Sequence, residues 1–289
     1  MKKLLLVVAL LFATSMLFAQ VPECEDCVID QLSSADRLNA TIQDSDIDQV
    51  GTDNLADVDQ FGQLNYAKIH QWGDPDDDGM NNVAGIFQTG YQNRGTIKQY
   101  GDRNTNTITQ HGKYNYAVQT VGDIIGFHWA EGYDNTATVD QSGDMNTSFQ
   151  FQRNDHNTAS VTQINQYPTG TNKWNGNYAE QRQDSEKYGA DGSDATIYQK
   201  GQENAALQNQ LGSNNTANAY QEGFMNKSIE IQISTLGFEN TSTVYQFGPR
   251  NSSNVMQNTE GIGDNLSDVN QVGRGNNACV NQTGGASPH

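Results

Sequence analysis

The chain is 289 residues long, 35% hydrophobic and 17% charged, with 16 basic against 34 acidic residues and a formal charge of -18 at pH 7. A hydrophobic share so far below the roughly 45–50% of ordinary domains excludes a conventional apolar core. The acidity makes nucleic acid and anionic membranes poor partners.

Met1 to Ala19 carries Lys2 and Lys3 and then an apolar run to about Phe18, the pattern of a secretory signal peptide over residues 1–19. The run is short for a membrane span, polar Gln20, Glu23 and Glu25 follow it, and no second apolar stretch occurs, so the mature chain is not expected to insert into a membrane. Residues 20–42 lie outside the repeat described next and form an N-terminal segment that could cap it. Cys24 and Cys27 make a C-x-x-C pair with Cys279 as the only other thiol. A zinc site would need further ligands, so a local disulfide or idle thiols is the simpler reading in an exported protein.

From residue 43 to 284 the chain is an array of nineteen units, read most cleanly in Asn54–Asn65 as N-x-A-x-V-x-Q-x-G followed by the next Asn. Disordered chains have no reason to keep such a spacing, which overrides the disorder that Asn, Gln and Gly abundance would otherwise suggest. Alternate side chains of a strand share a face, so Asn54, Ala56, Val58 and Gln60 point inward while Leu55, Asp57 and Asp59 point out; the opposite register would bury two aspartates. The opening and closing amides of the regular units are Asn54 and Gln60, Asn65 and Gln71, Asn82 and Gln88, Asn93 and Gln99, Asn104 and Gln110, Asn135 and Gln141, Asn204 and Gln210, Asn215 and Gln221, Asn240 and Gln246, and Asn276 and Gln282. Turn glycines follow at Gly51, Gly62, Gly73, Gly90, Gly101, Gly112, Gly143, Gly201, Gly212, Gly223, Gly248, Gly273 and Gly284. Val121 is the one closing position without Gln, and Gln43 and Ser193 replace Asn at two openings. In the seventh unit Gln119 looks displaced, and the fifteenth turns Glu230 inward. Residues 285–289 are a short tail.

A buried amide without partners costs a few kcal/mol, but identical amides stacked one strand above another satisfy each other. That requires parallel, in-register stacking and predicts an all-β parallel β-solenoid with Asn/Gln ladders inside. Extra residues follow units 3, 7, 10, 11, 15 and 17. With two strands per coil of about 22 residues, five of these six insertions share one edge; nineteen strands then make nine to ten coils, a stack of roughly 45 Å.

Candidate chemistry is sparse. Asp74, Asp76 and Asp78 in DPDDDG match the opening of a calcium loop, with Gly85 where its closing Glu would stand. The five histidines show no metal-binding spacing, and Trp72, Trp129 and Trp174 fall in turns or insertions. Asn146, Asn226, Asn240, Asn251 and Asn265 form N-x-[ST] triplets but are predicted to point inward, which would forbid glycosylation.

The spacing Q-x-G-x-x-N-x-A-x-x-x-Q, here Gln60, Gly62, Asn65, Ala67 and Gln71, resembles the curlin repeat of curli fibre subunits over about 240 residues. The resemblance implies a secreted bacterial subunit that polymerises with itself and related subunits into functional amyloid at the cell surface or in a biofilm matrix. It also implies export through an outer-membrane pore, with residues 20–42 as an export address. The residues reach polymerisation independently, because an uncovered final strand is a template for another chain. Two other readings are a monomeric β-solenoid adhesin or ice-binding surface using Thr105, Thr107, Thr109, Thr136 and Thr138, and a β-helical enzyme. An enzyme should show a carboxylate cleft, yet the inward positions offer only Glu230.

Overall fold

The computed structural model describes residues 43–73, 81–125, 128–130, 132–165, 176–185, 191–234, 238–259 and 264–283. The leader at 1–19, the segment 20–42, Asp74, Asp76 and Asp78, Trp174, Gly284 and the tail lie outside these residues. Every described regular element is a strand. Numbered in chain order, the first sheet runs β1 (Asp44–Val50), β3 (Tyr66–Trp72), β5 (Arg94–Asp102), β7 (Tyr116–Val121), β12 (Thr147–Arg153), β14 (Tyr178–Asp184), β16 (Ala205–Leu211), β18 (Lys227–Ile233), β20 (Ser252–Asn258) and β22 (Asn277–Thr283). The second runs β2 (Leu55–Gln63), β4 (Val83–Tyr91), β6 (Thr105–Lys113), β11 (Thr136–Ser142), β13 (Thr158–Ile164), β15 (Asp194–Gln202), β17 (Asn215–Phe224), β19 (Asn240–Phe247) and β21 (Asn265–Val272). Within both stacks all neighbours are parallel and in register, as in Ile47 opposite Ile69 and Gln49 opposite Gln71. The chain is therefore a parallel β-solenoid with one strand per sheet in each coil.

Between units seven and eight, β8 (Asp123–Ile125) and β9 (His128–Ala130) form an antiparallel hairpin, and β10 (Gly132–Tyr133) pairs with β5. Five of the six insertions follow first-sheet strands, namely β3, β7, β14, β18 and β20, so their points of departure line one edge; the sixth follows β13. The thin apolar layer between the sheets is built of the second and third inward positions, with Ala56, Val58, Ala67, Ile69, Ile86 and Ile108 almost wholly buried. The two irregular units keep register: Gln119 sits opposite Ile97 and Gln150, and Glu230 opposite Gln208 and Val255.

The turns explain the glycines. Gly62, Gly90 and Gly112 have φ of 112°, 123° and 125°, a region that disfavours any Cβ. They also stack: a Cβ on Gly62 would lie 2.0 Å from the carbonyl oxygen of Gly90, and one on Gly90 2.0 Å from that of Gly112. Gly73 is different. Its N–H donates to the Val50 carbonyl at 3.1 Å, just before the 74–80 insertion, which lies outside the described residues. A second left-handed residue, not expected from the sequence, stands immediately before most opening asparagines, as at Asp53 (φ 54°), Leu64 (57°), Tyr114 (59°) and Met225 (59°).

Candidate functional site: amide columns and open ends

In the second sheet the closing glutamines form one unbroken column. The Nε2 of Gln60 donates to the Oε1 of Gln88 at 2.8 Å, Gln88 to Gln110 at 2.7 Å, Gln110 to Gln141 at 2.8 Å, and so on through Gln163, Gln199, Gln221, Gln246 and Gln271. Each Nε2 also donates to a backbone carbonyl of the facing sheet, such as Gln88 to Tyr66 O at 3.0 Å. Every rung donates towards the C-terminal end. The first-sheet column has the same sense, Gln49 to Gln71 to Gln99, and then Gln152, Gln183, Gln210, Gln232, Gln257 and Gln282, with a gap at Val121.

A third column fills part of that sheet. Gln119 donates to Gln150 at 2.8 Å, Gln150 to Gln181 at 2.9 Å, Gln181 to Gln208 at 2.9 Å, and Gln208 to Glu230 Oε1 at 3.1 Å. Glu230 is fully buried, and its other oxygen accepts from Ser242 Oγ. Burial raises its pKa to about 8, against the opposing pull of hydrogen bonds from Ser242, Gln208, Ser228 and the Asn218 backbone. The carboxyl is accordingly neutral at pH 7.

The opening asparagines form two further columns of opposite sense. Oδ1 of Asn65 accepts from the N–H of Asn93 at 3.0 Å and its Nδ2 at 3.2 Å; Asn82 serves Asn104 in the same way at 3.0 and 3.1 Å. The other Nδ2 hydrogen ties the turn, as in Asn104 to Gly132 O at 2.7 Å. Ser193 reproduces the arrangement with a hydroxyl that donates to Gly212 O at 3.0 Å and accepts from the N–H of Asn215 at 3.3 Å. Asn54, Asn135, Asn204, Asn215, Asn240 and the asparagines of the glycosylation triplets are buried in these columns. Asn276 and Gln282 lie in the last coil, where β22 alternates between exposed and half-buried.

The ends differ from the interior in the same way. Among the described residues β1 and β22 each pair on one side only, and their inward residues are half-buried. Among the described residues the uniform donor sense leaves Gln271 and Gln282 as donors without a glutamine acceptor, and Gln60 as an acceptor without a glutamine donor. Among the described residues no cluster of three metal-ligating side chains occurs, and Cys279 is an exposed thiol on β22. His70, Trp72 and Tyr100 pack on one another on the outer face, with ring centroids 5.6–6.5 Å apart.

Sequence reasoning placed the closing and opening amides but did not recognise the third column. Its signal was available: Gln150, Gln181, Gln208 and Glu230 occupy the third inward position in consecutive first-sheet units. A family model described as the curlin associated repeat matches the chain over residues 44–74, 79–112 and 190–223. No curated protein matches it.

Proposed function

The chain belongs to the curlin-repeat family, and from that premise we propose that it is a secreted structural subunit which polymerises end to end into curli-like functional amyloid fibres of a bacterial surface or biofilm matrix. The observation that carries this reading is the complementarity of the two ends. Among the described residues one end offers glutamine donors, asparagine acceptors and an unpaired strand edge, and the other offers the reverse. Joining copies would continue every column and both sheets at the spacing already present. The work of the protein is then done by backbone and amide pairing rather than by a catalytic centre, and residues 20–42 serve as its export address.

The test is assembly of the chain lacking residues 1–19. Thioflavin-binding, protease-resistant fibres are expected, with Gln141→Ala and Gln210→Ala slowing growth and outward Asp57→Ala leaving it nearly unchanged. Monomers that stay dissolved and dye-negative for days would sink the proposal and favour a monomeric surface-binding solenoid.

A further inference from the structure

Among the described residues the first sheet stacks ten strands from β1 to β22, besides the short β10, and the second stacks nine from β2 to β21. The array therefore starts and stops in the same sheet, and that parity bears on how a second copy can join it. The two sheets are built alike. Leaving the first sheet, Gln49, Gly51 (φ 122°), Asp53 (54°) and Asn54 make the turn; leaving the second, Gln60, Gly62 (112°), Leu64 (57°) and Asn65 make it at the same spacing. The match recurs further along, with φ of 88° at Gly212 and 57° at Asn214 in one turn, and 125° at Gly223 and 59° at Met225 in the next. Hydrogen bonding is shared too. First-sheet Gln71 donates to the second-sheet Leu55 carbonyl at 3.0 Å, and second-sheet Gln110 to the first-sheet Arg94 carbonyl at 3.1 Å. Each strand is thus carried onto the next by a half turn about the stack axis and a rise of half a strand spacing, about 2.4 Å.

We infer that the edge formed by β21 and β22 binds β1 and β2 of a second copy rotated by half a turn about the fibre axis, so that the two sheets exchange places from copy to copy. Without the rotation β1 would land on β22, but β2 would lie two strand spacings, about 10 Å, from β21. A whole strand would be missing from the second sheet, and the backbone on both sides of the gap would go unpaired in the middle of the fibre. The half turn closes that gap, because β1 then seats on β21 and β2 on β22. It also brings like onto like. The inward Asn276, Ala278, Val280 and Gln282 of β22 meet the same four residue types in β2, while Ser267 and Gln271 of β21 meet Ser45 and Gln49 of β1. Glutamine donors run on into the next copy with the sense they have inside the chain. The like-charge contact this creates is Asp268 beside Asp46, and Lys68 already holds the Asp46 carboxylate.

The inference rests on the fibre reading of the chain, and its test separates the two. Cys279 supplies an exposed probe on β22. In the rotated joint it lies opposite Asp57 of the next copy, and in the unrotated joint opposite Asp46; neighbouring strands bring Cα atoms to about 4.8 Å, within disulfide range. In a Cys24→Ser/Cys27→Ser background, fibres of Asp57→Cys oxidised with diamide should run as covalent multimers on a non-reducing gel, while those of Asp46→Cys stay monomeric. Cryo-electron microscopy of wild-type fibres should give a rise per copy of about 45 Å and a half turn beyond the gradual twist of the sheets, against about 48 Å and no half turn for the unrotated joint. Duplicating residues 54–64 adds one unit and makes the sheets equal, so the half turn should vanish and the rise become about 48 Å. Multimers from Asp46→Cys, from both cysteine variants or from neither, or a wild-type fibre without the half turn, would overturn the inference and leave the fibre reading intact. If no fibres form, the fibre reading fails and the inference falls with it.

Discussion

The glutamine column of the second sheet runs without a gap from Gln60 to Gln271, whereas that of the first sheet breaks at Val121. The atoms on either side of the break fare differently. Gln99 loses its glutamine acceptor but still donates to the carbonyls of Val83 and Asn104, each at 2.9 Å. Gln152, above the break, keeps its donors occupied, yet its Oε1 is buried with no partner. Gln119, the first rung of the third column, has the same orphaned oxygen above Ile97. A strand carbonyl has a second lone pair to offer, while its N–H is already committed to the sheet, so a broken column strands acceptors and spares donors.

Five substitutions sharpen that comparison. The largest effect belongs to Gln141→Ala, which removes the acceptor of Gln110, the donor to Gln163 and the side chain itself; a loss of about 3 kcal/mol is expected from urea unfolding. Gln152→Ala, beside the existing break, should cost measurably less, and equal losses would show that column continuity has no energetic meaning.

Next is Glu230, which ends the third column. Its folded pKa of about 8 lies above the unfolded 4.5, so its contribution is fully present below pH 4.5 and is lost as pH rises through 8. Stability should decline across that window, by roughly 3 kcal/mol at pH 7 from this group alone. Glu230→Gln should remove this decline in thermal unfolding scans between pH 4 and 8, and a slope equal to wild type would refute the assignment.

Val121→Gln supplies the missing rung, giving Gln99 an acceptor and Gln152 a donor. A gain of about 1–2 kcal/mol is expected, measured by the shift in unfolding midpoint. The smallest effect is that of Asn106→Ala. Asn106 is wholly buried between Ala84 and Ala137, and neither amide atom has a partner, so the apolar side chain should add about 1 kcal/mol. A loss on either substitution would mean that the orphaned atoms are not a cost.

Much of this architecture was legible because the repeat makes each inward amide meet its own kind. Placing Asp57 and Asp59 outside fixes the face of β2, and the shared edge of the insertions distinguishes two strands per coil from three. Gln119 shows where the sequence stopped being sufficient. Read within its own unit it is a misplaced closing residue; only the assignment of alternate units to alternate sheets aligns it with Gln150 and Gln181 as a rung of another column. The left-handed residues before the asparagines left no signal for a different reason. Leu64, Tyr114 and Met225 have no preference for that conformation, which is imposed by the closing of the coil at a cost of about 1–2 kcal/mol each.

If copies stack end to end as proposed, the uniform donor sense within each glutamine and asparagine column has a consequence for damaged fibres. A severed filament exposes one break of each kind. Two like breaks would set amide hydrogens against amide hydrogens and carbonyl oxygens against carbonyl oxygens, so fragments could heal only nose to tail. Shearing would multiply growing tips without ever producing a filament whose direction reverses along its length.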